Sequence, residues 1–268
     1  MTELQTPTFD IFKQFLGEDR FNEDCFNEDS FNKIETWLKN GHYYLEKKAD
    51  LENYKCEESD DIKGFDVPVL IKSHNGNNKK LMIIVGESPL RNGTEKGLLV
   101  GFPFAVDYEN EPPRCAVYKK LFNELLANNY DLYITDIIKV WEKKNNKLTV
   151  EKKDIDILNK ELEILSKEYA DIHILLMGSN AKKWKINGED YKCINIPHMS
   201  QRNWDTWRIK IYEDAFRKLI NDGKITKENI EGLVEEDANK LEFCSMNAGT
   251  VANTAFKMIS SELEKMIK

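Results

Sequence analysis

A chain of 268 residues, 41% hydrophobic and 32% charged with a formal net charge of −8, suits one α/β domain with additions and argues against generic coating of nucleic acid, while leaving room for a local basic groove. No apolar run approaches the ~20 residues that span a membrane, and the opening MTELQTPTFD lacks the basic and apolar regions of a signal peptide. The five cysteines (Cys25, Cys56, Cys115, Cys193 and Cys244) are scattered without a CxxC pair, which suits reduced thiols in a cytoplasmic protein and gives no zinc or iron–sulfur spacing.

Residues 1–62 are polar, acidic and rich in aromatics. Phe21-Asn22-Glu23-Asp24, Phe26-Asn27-Glu28-Asp29 and Phe31-Asn32 echo one another every five residues, which fits neither helix nor strand and reads as a local accident. Ile34 to Leu45 is predicted helical, with Trp37 and Leu38 inward. The segment is expected to be an acidic, mostly helical N-terminal extension capping the core.

Val67 to Ile71 is expected to pair with Leu81 to Val85 through the turn at Asn75-Gly76-Asn77-Asn78. Leu81-Met82-Ile83-Ile84-Val85 is a short apolar run bounded by turn signals, hence a buried strand. It stops at Gly86, and Glu87, Ser88 and Pro89 follow. A glycine-containing connection (Gly93, Gly97, Gly101) then leads to Phe102-Pro103-Phe104. Ala116 to Ala127 is predicted helical, with Val117, Leu121, Phe122 and Leu125 on its apolar face. Leu132 to Lys139 is the second core strand. Trp141 to Lys153 reads as a basic, exposed connection.

Ile157, Leu158, Leu162 and Leu165 recur at helical spacing in Asp154 to Tyr169. Ile172 to Met177 is the third strand, closed by Gly178-Ser179-Asn180-Ala181. Lys182, Lys183 and Lys185 open a short helix. Tyr191 to Ile196 is the fourth strand and runs into Pro197-His198-Met199-Ser200. Trp207 to Leu219 is a helix, and two or three more follow from Asn221, ending in Ala252 to Ile267.

Alternating strands and helices imply a mostly parallel sheet with helices on both faces. The expected domain plan is an N-terminal extension over 1–62, an α/β core over 63–219 and a C-terminal helical extension over 220–268. Polar residues gather after three strands: Glu87 and Ser88, Asp136, and His198 with Ser200. Parallel strands bring those ends to one rim, where ligands of open α/β sheets sit.

These residues resemble the uracil-DNA glycosylase superfamily. Gly86-Glu87-Ser88-Pro89 resembles its first motif, GQDPY in one branch and GEAPG in another. Gly101-Phe102-Pro103-Phe104 resembles the G-x-P-F that follows. Tyr133 to Lys139, YITDIIK, is similar to the YITNVVK strand of the iron–sulfur branch, Leu176 to Ala181 to its LGxxA turn, and His198-Met199-Ser200 to the closing HPS. The motifs stand in family order between Leu81 and about Leu219. The resemblance implies a three-layer sandwich around a four-stranded, mostly parallel sheet. It also implies a hydrolase that flips a base out of DNA and cleaves its glycosidic bond, because that bond is unreachable inside a stacked duplex.

On the resemblance, Phe104 would stack on the base and His198 would donate a hydrogen bond to base O2 as the base leaves. Glu87 would hold the attacking water or stabilise the sugar cation, with Ser88 positioning that water. Pro89, Lys139, Ser200 and Arg202 are candidates for phosphate contacts, and Met199, Gln201 and Arg202 for the wedge that fills the vacated stack. The departures are equally informative. The water-activating Asp falls at Ser88, the base-reading Asn at Asp136 and the motif Pro at Met199, and the cluster cysteines are missing. Hence no iron–sulfur centre, metal or other cofactor is expected, and DNA is the expected partner. An ionised Asp136 only accepts hydrogen bonds, which favours a base presenting an amino donor, as cytosine does at N4, over uracil; the competing reading is a buried structural acid, or one protonated by burial and able to donate. Two other functions compete. One is a DNA or modified-base binding module that has lost catalysis. The other is a serine hydrolase using Ser88, Asp136 and His198, although Leu90 occupies the second glycine of the nucleophile elbow.

Overall fold

Within Lys80–Gly86 (β3) the run Leu81 to Val85 is continuously apolar because it is buried on both faces. Met82 and Ile84 enter one core cluster, while Leu81, Ile83 and Val85 enter another. The computed structural model describes residues 62–66, 68–73, 80–88, 99–105, 113–138, 140–142, 149–186, 191–200, 203–240 and 247–267. The expected helix Ile34 to Leu45 and the rest of 1–61 lie outside them. Elements preceding and following β3 are β1 (Ile62–Asp66), β2 (Val69–Ile71), β4 (Leu99–Gly101), α1 (Pro113–Ala127), β5 (Asp131–Asp136) and β6 (Val140–Glu142). They continue with α2 (Lys152–Glu168), β7 (Asp171–Met177), β8 (Lys192–Ile196), α3 (Trp204–Ala215), α4 (Arg217–Asn221), α5 (Lys227–Lys240) and α6 (Ala248–Ile267).

The main sheet has five strands in the order β2-β5-β3-β7-β8. The four expected strands β3, β5, β7 and β8 are mutually parallel, which requires crossovers, and α1 and α2 supply two of them. The fifth strand corrects the sequence reading. Val69–Ile71 pairs antiparallel with β5, not as a hairpin with β3, because both edges of β3 are already taken by parallel neighbours. Helices α1, α3 and α6 cover one face through Val117, Leu121, Phe122, Trp207, Val251 and Ala255. Helix α2 covers the other through Leu158, Leu162 and Leu165, giving three layers.

Three further corrections follow. Val140–Glu142, expected within an exposed connection, is a strand. It pairs antiparallel with β1, whose other edge carries β4 in parallel. This small sheet ties together the chain after β3 and the chain after β5. The second core strand ends at Asp136 rather than Lys139, since the Ile137 and Ile138 amides turn back to donate to the Gly86 and Glu87 carbonyls at 3.0 and 3.2 Å. Finally, α6 is not peripheral: Val251, Ala252, Ala255 and Ile259 belong to the same cluster as Ile84 and Ile196. Burying aliphatic side chains contributes roughly 1.5–3 kcal/mol each. By contrast α5 rests on α3 through a small cluster of Tyr212, Ile230 and Val234.

The far edge of the sheet holds a structural clamp. Asp131 at the start of β5 accepts the Ser73 amide at 2.7 Å and the Tyr169 hydroxyl at 2.9 Å, with Lys72 at 3.5 Å. Burial and the Asp131 carboxylate push the Tyr169 phenol well above its usual range. It therefore remains a donor that fastens the end of α2 to the sheet.

Candidate active site

The connection after β3 leads toward β5, and that after β7 leads away toward β8. A crevice therefore opens at the carboxyl ends of β3 and β7, the switch point where ligands of open α/β sheets settle. Glu87 bridges this crevice. Its Oε1 accepts the Asn180 amide at 3.0 Å and the Ser179 hydroxyl at 3.3 Å. Gly178 permits the approach: its φ is +95°, and a Cβ there would stand 2.5 Å from Glu87 Oε1. The turn Gly178-Ser179-Asn180, read in the sequence as a strand ending and as part of an LGxxA-like turn, is thus the seat of the carboxylate.

Gly86 is the second close approach. It is in register with Asp136 across the β3–β5 ladder. A Cβ on Gly86 would collide with Asp136 Oδ1 and come within 2.9 Å of Phe104 Cζ. Gly86, Asp136 and Phe104 therefore converge, and Asp136 is only 4% exposed. Gly86→Ala is expected to destabilise the protein by about 1–3 kcal/mol, as overpacking does, and to displace both side chains. Urea unfolding of the variant beside the native chain measures it.

Phe104 is half-buried, with backbone angles of φ 57° and ψ 17°. The left-handed region is unfavourable for a bulky side chain, costing about 1–3 kcal/mol, and such residues gather at functional sites. The ring lies 4.6 Å from Tyr118 and 5.8 Å from Phe122, both on α1, and 6.4 Å from the His198 imidazole, tilted by 28° from it.

His198 leaves the end of β8. Its carbonyl accepts Asn203 Nδ2 at 2.9 Å and Trp207 Nε1 at 3.2 Å, which fixes the turn. Its Nδ1 accepts the Ser200 amide at 3.3 Å. Burial pushes the imidazole below its ordinary 6.5, while the Glu87 charge pulls the other way. An amide can only donate, so Nδ1 carries the lone pair and Nε2 the proton. That polarity is opposite to a serine-hydrolase triad, where Nδ1–H donates to a carboxylate. The Ser88–Asp136–His198 hydrolase reading is therefore set aside.

The structure brings Glu87, Phe104, Asp136 and His198 to one rim, with Ser88 half-buried beside Glu87 and Ser200 at the His198 turn. It corrects one expectation: Met199 is fully buried in the core with Ile196 and Trp207, so it is no wedge. Pro89, Lys139, Gln201 and Arg202 lie outside the described residues.

Residues 73–222, more than half the chain, match the family described as the uracil DNA glycosylase superfamily. The chain belongs to that superfamily. Its members are typically DNA glycosylase hydrolases, so the family's partner is DNA. No curated protein matches the chain. The superfamily match ends before α5 and α6, although α6 completes the core. Among the described residues no helix is long and apolar enough to cross a membrane, and no group of three or more His, Cys, Asp or Glu could hold a metal ion.

Sequence reasoning missed two features of this candidate site. Tyr118, buried against Phe104 and His198, was hidden on the apolar face of α1. A polar-tipped ring one turn before Phe122 was the available signal. Lys182, Lys183 and Lys185 were seen only as a helix start, yet all three are exposed just beyond the turn that seats Glu87.

Proposed function

We propose that this protein is a monofunctional DNA glycosylase. It hydrolyses the N-glycosidic bond of a flipped-out base by water attack, in cytoplasmic base excision repair or in defence against DNA carrying altered bases. The observation that supports it most is the convergence of Phe104, Asp136, Glu87 and His198 on one crevice. In this reading the Phe104 ring receives the face of the base. Nε2–H of His198 donates to the oxygen on which charge develops as the base leaves. The Glu87 carboxylate, held through Oε1, orients water or stabilises the sugar cation through its other oxygen, with Ser88 beside it.

Asp136 selects the base. A carboxylate there pairs with an exocyclic amino group and repels a carbonyl oxygen, so cytosine-type or modified cytosine bases are favoured over uracil. Lys182, Lys183 and Lys185 supply positive charge where the strand must pass, in a chain whose overall charge is −8. Replacing Lys182 and Lys183 by Ala is expected to weaken DNA binding about equally for all sequences. It should also flatten the salt dependence of log K by about two units of slope, which titrations at several salt concentrations will read.

A second reading is favoured by Ser88, which stands where the water-activating Asp of the family falls. It is a module that binds an altered base without cleaving it. A panel of oligonucleotides bearing different bases, scored for abasic sites, decides between them. Base release supports the glycosylase, and binding without release over long incubation overturns it.

A further inference from the structure

The Tyr118 hydroxyl stands 3.3 Å from His198 Nδ1 and 3.5 Å from Nε2, while its ring lies 4.6 Å from that of Phe104. One buried side chain of α1 thus touches both the ring and the imidazole at the heart of the site. We propose that Tyr118 is a positioning residue: its ring backs Phe104, and its hydroxyl holds His198 as a neutral imidazole with the proton on Nε2. The purpose of this arrangement rests on the glycosylase reading. The contacts themselves exist without substrate, so the two ideas fail separately.

The charges and lone pairs around the imidazole give the reason. The charged and titratable groups facing it among the described residues are Glu87 at the end of β3 and Tyr118 on α1. Glu87 favours the imidazolium. Against it stand burial and the Ser200 amide, which must find a lone pair on Nδ1. The Tyr118 hydroxyl, near the same nitrogen, adds a second donor. Protonating Nδ1 would strip the Ser200 amide of its acceptor, at a cost comparable to a lost hydrogen bond, and would require the hydroxyl to rotate from donor to acceptor. The ring of Tyr118 serves the other half of the site. Phe104 sits in a strained backbone conformation, and a tilted aromatic neighbour 4.6 Å away limits where its ring can lie.

Tyr118→Phe tests this because it keeps the ring and removes only the hydroxyl. The nitrogen-15 NMR titration of the whole native protein and of the variant is compared, with His198 assigned through His198→Gln. The expected result is a lower population of the Nε2–H tautomer and an upward move of the His198 titration in the variant, at unchanged Tm. In a base-release assay kcat should fall about tenfold with KM little changed, and the acid limb of the rate profile should move to higher pH, because the imidazolium then forms sooner as pH falls. A His198 tautomer and titration identical in both proteins would overturn the proposal, whatever the activity. If the titration moves but the native protein releases no base from any substrate, the Tyr118 assignment stands and the glycosylase reading fails.

Discussion

Asp136→Asn is expected to redirect base release toward uracil, raising the ratio of uracil to cytosine-type release by about 100-fold. An Asn amide both donates and accepts, so it pairs with O4 and N3–H of uracil where a carboxylate meets O4 as like against like. A site built to hydrogen-bond its substrate rejects the mismatched analogue strongly, because buried polar groups are left unpaired. Asp136 is 4% exposed, and its Oδ1 lies against the Gly86 backbone, so the side chain is shielded from bulk water. The substitution is nearly isosteric, and the fold should survive it. The measurement is single-turnover release from duplexes carrying uracil, cytosine or a modified cytosine, scored as abasic sites. If native protein and variant both release uracil alone at similar rates, Asp136 does not read the base.

Glu87→Gln is expected to lower kcat by roughly 10²–10⁴, the range for removing a positioned proton acceptor, while leaving DNA binding within a few-fold. The amide oxygen of Gln can still accept the Asn180 amide that Oε1 accepts at 3.0 Å, so the side chain should keep its place. What disappears is the negative charge at the crevice. That loss separates an acid that acts on water or on the sugar cation from one that only braces the β3 and β7 ends. A variant with native kcat would assign Glu87 to bracing alone and would return attention to Ser88. The same variant bears on His198, whose protonated form Glu87 favours. Removing the charge should move the His198 titration further down in pH.

Residues at particular positions explain how much could be read in advance. The strands β3 and β7 were visible because burial on two faces leaves no choice but apolar side chains, and such runs stand out against charged surroundings. The amphipathic helix α2 was visible for the opposite reason: one buried stripe gives a period. The edge strand Val69–Ile71 was recognised as a strand but given the wrong partner. Pairing is decided by which edges are free, and a sequence does not display that. Val140–Glu142 was missed because a short strand in a small sheet carries too few residues for alternation to register. Met199 shows the same limit at the site. Its neighbours His198 and Ser200 turn toward the rim while it fills the core, and adjacency in the chain says nothing of direction.

The sequence by itself determined the alternation of strands and helices, and with it a parallel sheet whose polar strand-ends must share a rim. It also determined the family to which the motifs belong. Both follow from local rules, in which periodicity sets the element and a polar break sets its end. Only the tertiary structure decided that Glu87 is seated on the Gly178–Asn180 turn, that Tyr118 stands between Phe104 and His198, and that α6 completes the core. The Glu87 and Tyr118 contacts span up to 93 positions along the chain, and the cluster that α6 shares with β3 spans more. Contacts at such separation arise from how layers stack and where loops cross, and single residues record them only as one more glycine, tyrosine or alanine.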